Sequence, residues 1–98
     1  MPKIVKKIRV KNRLGVHARP ATNIVKLLQS KQSKVWISHK EQCIDARSII
    51  SILMLALTKN MCVDLIVEGE DAQETMQELE HLFETGFGEL EAITDVTD

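Results

Sequence analysis

Gly15 and Pro20 bracket the stretch Gly15-Val16-His17-Ala18-Arg19-Pro20-Ala21, and between them they fix where a loop must end and a helix must begin. Proline is tolerated in a first helical turn because its missing N–H would have no partner there. Glycine lets the chain bend sharply into that turn. His17 then falls at the helix N-cap, facing the free backbone N–H groups of Ala18 and Arg19. Such an end attracts anions, since its N–H groups are unpaired and the helix dipole is positive there. Arg19 adds a permanent positive charge whose forked donors suit phosphate oxygens. A neutral imidazole nitrogen beside a phosphate seat is the arrangement that transient phosphorylation on histidine requires.

The chain around this stretch alternates strands and helices. Lys7-Ile8-Arg9-Val10-Lys11 has the polar–apolar alternation of a half-buried strand. From Ala18 to about Ser30 the period is helical, with Ala18, Ala21, Val25 and Leu28 on one face and Ile24 and Leu27 flanking it. Val35-Trp36-Ile37 and Cys43-Ile44 are two short strands about the polar turn His39–Gln42, with Trp36 on the face opposite Val35 and Ile37. Ser48 is a good N-cap for a second helix that the pattern extends to about Lys59, where Asn60 can end it in a left-handed conformation. Met61, Val63, Leu65 and Val67 mark a fourth strand, and Gly69 turns the chain. Asp71 and Glu74 have capping-box spacing for a third helix that buries Ala72, Met76, Leu79 and Phe83, with Leu82 beside them. Gly86 followed by Phe87 reads as a glycine stop with a hydrophobic contact. The acidic end from Glu89 to Asp98 reads as frayed. The order β-α-β-β-α-β-α suits an α+β fold, a four-stranded antiparallel sheet with its helices on one face. Residues 1–90 then form a single domain and residues 91–98 an acidic tail.

At 98 residues and 44% apolar composition the chain can bury one modest core. A net charge of −1 argues against a general nucleic-acid binder. A small nucleic-acid module would expose sheet aromatics on a basic face, yet Trp36 is the lone candidate and tyrosine is absent. No apolar run is long enough to cross a bilayer, so direct membrane insertion is not expected, and the opening Met1-Pro2-Lys3-Ile4 lacks a signal-peptide pattern. Cys43 and Cys62 form no CxxC motif and suit a reducing cytoplasm. His39 with Cys43 is too small a set for zinc. The chemistry at His17 asks for no metal and no cofactor.

Asn12-Arg13-Leu14-Gly15-Val16-His17-Ala18-Arg19-Pro20-Ala21, with Ala46-Arg47-Ser48-Ile49-Ile50 and Glu68-Gly69-Glu70-Asp71-Ala72, resembles the HPr family, the histidine-containing phosphocarriers of the bacterial phosphotransferase system. The match runs from about residue 4 to 89. The resemblance implies an open-faced β-sandwich with three helices on one face. It implies that enzyme I, charged by phosphoenolpyruvate, hands its phosphoryl group to Nδ1 of His17, and that His17 passes it to a histidine of an enzyme IIA protein or domain. The N–H groups of Ala18 and Arg19 and the Arg19 guanidinium would steady the phosphoryl group without trapping it. The chain would act as a covalent carrier in the cytoplasm, and a monomer is the default.

Each of these residues has a plainer reading. His17 could merely cap the helix, although histidine caps poorly and Gly15, Arg19 and Pro20 would then be coincidence. Ser48 needs only its cap role. In the family, this position between a basic residue and an apolar pair can be a regulatory site for a dedicated kinase or phosphorylase, where phosphate adds about −1.5 to −2 charge. The second helix is apolar nearly all round. Ile52, Leu55 and Ala56 suit the core, while Ile49, Ile50, Leu53 and Met54 suit a docking surface with Arg13, Arg19 and Arg47 as its basic rim. Ser51 and Ala56 replace glycines common in sugar-uptake members. Asn12-Arg13-Leu14 and Ile52-Leu53-Met54-Leu55 look more like the nitrogen-related branch, NPr. The chain thus serves either sugar uptake or a regulatory role in which its phosphorylation state is the signal.

Overall fold

Alternating apolar residues on four segments build one antiparallel sheet. The computed structural model describes residues 1–90. Its elements are β1 (Lys3–Arg9), α1 (Ala18–Gln29), β2 (Lys34–His39), β3 (Gln42–Asp45), α2 (Ile49–Met54), β4 (Cys62–Glu68) and α3 (Ala72–Glu84), then a 3-10 turn at Gly86–Gly88. Strand order across the sheet is β1-β4-β2-β3. The α+β class and the element order agree with the sequence pattern.

Register puts the apolar residues in rows. Ile8 pairs with Val63, Leu65 with Ile37, and Val67 with Val35. These residues are all buried. Against them lie Ala21, Ile24 and Leu28 of α1, Ile52 of α2, and Ala72, Met76, Leu79 and Phe83 of α3. Burying each large side chain contributes about 1.5–3 kcal/mol, whereas a surface ion pair contributes about 0–1 kcal/mol. The core therefore decides the fold, and the pairs Lys6–Glu80 and Lys7–Asp64 only trim it. Trp36 and Val5 lie on the other face, each opposite Ile66.

Several boundaries differ from the sequence pattern. The first strand starts at Lys3 and ends at Arg9, but Val10 keeps pairing: its N–H donates to Met61 O at 2.9 Å and its carbonyl accepts from Asn60 N at 2.7 Å. The buried stripe of α1 runs through Pro20, Ala21, Ile24 and Leu28, and Ala18 is exposed at the projecting helix start. Asp71 caps no helical N–H with its side chain. Its carboxylate instead accepts from Gln32 N and Ser33 N, each at 2.9 Å, and from the Ser33 hydroxyl. Glu74 and Glu78 grip the Lys31 ammonium at 2.8 and 2.9 Å, and these hydrogen bonds hold its pKa above the usual value.

The largest difference lies in α2, which stops at Met54 instead of near Lys59. Leu57 supplies the reason. It is buried and its carbonyl accepts from Val16 N at 3.0 Å, so the chain turns out of the helix to seat Leu57 against the histidine loop. The chain leaves the helix through Ala56, which takes a left-handed φ of 53° and is exposed, contrary to its expected core place. Asn60 is also left-handed, at φ 76°, but it closes the following turn and not the helix.

Two stability predictions follow from these local structures. A left-handed L-residue costs roughly 1–2 kcal/mol, and the extra freedom of glycine when unfolded offsets about 0.5–1 kcal/mol of that. Ala56→Gly is therefore expected to stabilise the chain by about 0.5–1 kcal/mol, read from the urea midpoint; an unchanged or lower midpoint would show that Ala56 is unstrained. Donation by the Ser33 hydroxyl and by the Gln32 and Ser33 N–H groups lowers the Asp71 pKa from 3.8 to about 2. Its contribution to stability is thus complete above pH 3.8 and lost as pH falls through about 2. Asp71→Asn should melt below wild type at neutral pH, with the two melting temperatures converging as pH drops towards 2; a gap independent of pH would refute the charge role.

Candidate functional site

The loop between β1 and α1 is shaped by two tight fits. Gly15 has φ +71°, and a Cβ there would sit 2.3 Å from Leu57 O and 2.9 Å from Thr58 Cα, so any side chain would collide with backbone. Asn12 is fully buried, and its Nδ2 donates to Gly15 O at 2.7 Å, pinning the loop from inside. The chain then enters α1 with His17 at the N-cap in an extended conformation. Its carbonyl accepts from Ala21 N at 3.1 Å. Pro20 is buried in the first turn and offers no N–H, which leaves the Ala18 and Arg19 N–H groups as the free donors of this helix end.

The His17 side chain departs from the expected pose. It makes no capping hydrogen bond to the helix. Nε2 instead meets both carboxylate oxygens of Glu89, at 3.1 and 3.0 Å. Arg19 Nε lies 3.5 Å from the same carboxylate, and Asn12 Nδ2 donates to it at 2.9 Å. The Glu89 side chain is 9% exposed, the His17 ring 35% and Arg19 69%. Burial on its own would raise the Glu89 pKa. Hydrogen bonds from His17 and Asn12 and the charges of His17 and Arg19 overcome that and hold it below the usual carboxylate value. Among the described residues, no hydrogen bond uses Nδ1.

Glu89 thus does not belong to a frayed end. A 3-10 turn carries it to the histidine: Gly86 is left-handed at φ 60°, Gly88 N donates to Thr85 O at 3.0 Å, and Glu89 N donates to Gly86 O at 2.8 Å. Phe87 anchors this turn, buried with its ring edge-on to Phe83 at 4.8 Å. The glycine stop and its hydrophobic contact agree with the sequence pattern; the pairing of Glu89 with His17 and with Asn12 was not legible there. Residues 91–98, the remainder of the acidic tail, lie outside the described residues.

On α2, Ser48 is the N-cap and its Oγ accepts from Ser51 N at 3.1 Å, as its sequence position suggested. Ile52 and Leu55 are buried, Ile49 and Leu53 half-buried. Ile50 and Met54 are 67% and 73% exposed, and Leu14, on the histidine loop, is 64% exposed. The helix packs against α1, and Leu57 just after it bonds Val16, so this apolar surface adjoins the histidine loop. Arg47 is not a free rim charge. Its guanidinium donates to Leu28 O at 2.7 Å, Lys31 O at 3.1 Å and Ser33 O at 2.8 Å, closing the C-terminal end of α1.

Cys43 and Cys62 are exposed and unbridged. Among the described residues no group of three or more His, Cys, Asp or Glu side chains could hold a metal ion, and no helix is long and apolar enough to cross a membrane.

Fold and site together define a small α+β protein organised around a half-exposed histidine at a helix start. A family model described as "PTS HPr component phosphorylation site" matches residues 4–85. The phosphocarrier protein HPr of Chlamydia trachomatis is 38% identical over 81 residues, 83% of this chain and 74% of that protein. The HPr of Treponema pallidum is 36% identical over 86 residues, 88% of this chain and 98% of that protein. The crystal structure of HPr-C-His from Thermoanaerobacter tengcongensis superposes with a TM-score of 0.83 at 33% identity, covering 92% of this chain and 99% of that one. The chain belongs to the HPr family, the phosphocarriers of the phosphotransferase system. Members of this family carry a phosphoryl group and are not enzymes in the ordinary sense.

Arg47 supplies a test of structure against docking. Arg47→Ala leaves three carbonyls at a helix end without a cationic donor, and is expected to cost about 1–2 kcal/mol in urea unfolding. Full stability with weakened partner binding would assign Arg47 to the docking rim instead.

Proposed function

We propose that His17 is the residue that carries the phosphoryl group. It is taken from enzyme I, itself charged by phosphoenolpyruvate, onto Nδ1, and given up to a histidine of an enzyme IIA protein or domain. The observation that carries this reading is the half-exposed imidazole whose Nε2 is occupied by Glu89 while Nδ1 makes no hydrogen bond among the described residues. A nitrogen with a free lone pair at an exposed helix start can attack phosphorus directly.

Transfer of this kind depends on in-line positioning and on neutralising charge spread over the phosphoryl oxygens. The N–H groups of Ala18 and Arg19 and the exposed Arg19 guanidinium supply part of that neutralisation. The partner supplies the rest, so the group is held without becoming trapped. Ile49, Ile50, Leu53 and Met54, joined by Leu14, form the apolar surface on which donor and acceptor dock by turns. The exposure of Leu14, Ile50 and Met54 beside the histidine loop is unusual for residues of this size and supports a contact face. Ser48 is a helix cap first and, in this reading, also the position where a dedicated kinase would add a regulatory phosphate beside that face. Residues 1–90 make up the carrier domain, which works as a cytoplasmic monomer.

Incubation with phosphoenolpyruvate and enzyme I, followed by intact mass measurement, tests the reading. One acid-labile phosphoryl group is expected on the wild type, and none on His17→Ala. Label that persists in the variant would move the phosphoryl group to another residue, and an unlabelled wild type would leave His17 as a binding residue alone.

A further inference from the structure

Glu89 approaches the ring from the end opposite the proposed acceptor nitrogen. Both of its oxygens lie within 3.1 Å of Nε2, and the carboxylate is itself held by Asn12 Nδ2 and flanked by Arg19 Nε. An ionised carboxylate can only accept, so Nε2 must be the donor and must bear the proton. In the neutral ring this leaves the lone pair on Nδ1. The Asn12 amide is oriented by the same logic: both acceptors near it, Gly15 O and the Glu89 carboxylate, face Nδ2.

We infer that Glu89 is a positioning residue for phosphoryl transfer, keeping a proton on Nε2 of His17 both when the ring is free and when Nδ1 bears the phosphoryl group. The inference rests on His17 being the carrier.

The proton matters because of where electrons go. On loading, the Nδ1 lone pair forms the new N–P bond, the donor's own P–N bond breaks, and its electron pair returns to the donor. The His17 ring then bears a positive charge with Nε2–H still in place, and the Glu89 carboxylate lies against that charge. On unloading, a lone pair on the acceptor's histidine nitrogen bonds phosphorus, and the His17 N–P pair returns to Nδ1. With Nε2 protonated, the ring leaves as neutral imidazole. With Nε2 bare, it would have to leave as an imidazolate anion, a far poorer leaving group. No proton enters or leaves at either step, so the exchange needs no general acid from solvent. The carboxylate favours the positively charged ring because opposite charges at this distance attract strongly in a partly buried site.

Histidine-15N-labelled full-length protein, as wild type, Glu89→Gln and Glu89→Ala, decides the matter. Nitrogen spectra of the unloaded protein read the proton position. The same samples are then loaded with phosphoenolpyruvate and enzyme I, and transfer to enzyme IIA is timed by rapid quench. Wild type and Glu89→Gln, which retains a neutral acceptor, are expected to show a proton resident on Nε2; Glu89→Ala should show it exchanging between nitrogens. Transfer should slow about tenfold in Glu89→Ala, with Glu89→Gln between the two, the scale of one lost charge-assisted hydrogen bond. An unaltered Nε2 signal with wild-type transfer in Glu89→Ala would reduce Glu89 to a latch for the 3-10 turn. Faster transfer would make it a brake, and would equally overturn the inference. A wild type that takes no label overturns the carrier reading instead, and the spectra of the unloaded protein still decide whether Glu89 sets the proton.

Discussion

Gly15 lies directly against the backbone of Leu57 and Thr58, and the site depends on that close approach. There is no space for a Cβ at Gly15, and the Val16–Leu57 hydrogen bond lies alongside. This contact ties the loop that ends in His17 to the segment that follows α2. It explains why α2 is only six residues long, why Ala56 accepts an unfavourable φ, and why Ile50 and Met54 face outward near the histidine. The position of the apolar surface relative to the imidazole is thus set by a glycine and a carbonyl.

A second tie closes the site from the far end of the chain. The Phe83–Phe87 ring contact and the left-handed Gly86 redirect the backbone after α3, and buried Asn12 receives Glu89 from below. Asn12 joins the two ties, since one amide nitrogen bonds both the Gly15 carbonyl and the Glu89 carboxylate. Loop shape and ring orientation are therefore coupled through a single side chain.

Much of this was legible in the sequence, for reasons that differ by residue. The order of elements followed from periodicity, and the faces of β2, β4 and α3 fell as the alternation required. The His17 loop was legible because glycine and proline carry local conformational rules that tertiary context rarely overrides. Boundaries were less legible where a distant contact decides them. The apolar run to Leu57 satisfies a helical pattern, and only the requirement to dock on Gly15 ends it at Met54. Asp71 has capping spacing, yet Gln32 and Ser33 offer it better donors from another part of the chain. The pairing of Glu89 with His17 has no local signal, because a carboxylate in an acidic tail looks like every other one until the turn at Gly86 aims it. The departures from family glycines did have a readable consequence in one case, as Ala56 occupies a left-handed position where glycine would sit without strain.

The ring and its carboxylate are 72 residues apart in sequence. β1 pairs along its whole length with β4, so the sheet too is closed late. At usual rates of synthesis, on the order of 5–20 residues per second, the imidazole leaves the ribosome several seconds before its partner. For the earlier part of that interval the histidine loop exists without Leu57, and almost to its end without the turn at Gly86 and without Glu89. The nascent chain therefore displays the motif before it displays the site, and assembly of the site waits for the emergence of Glu89.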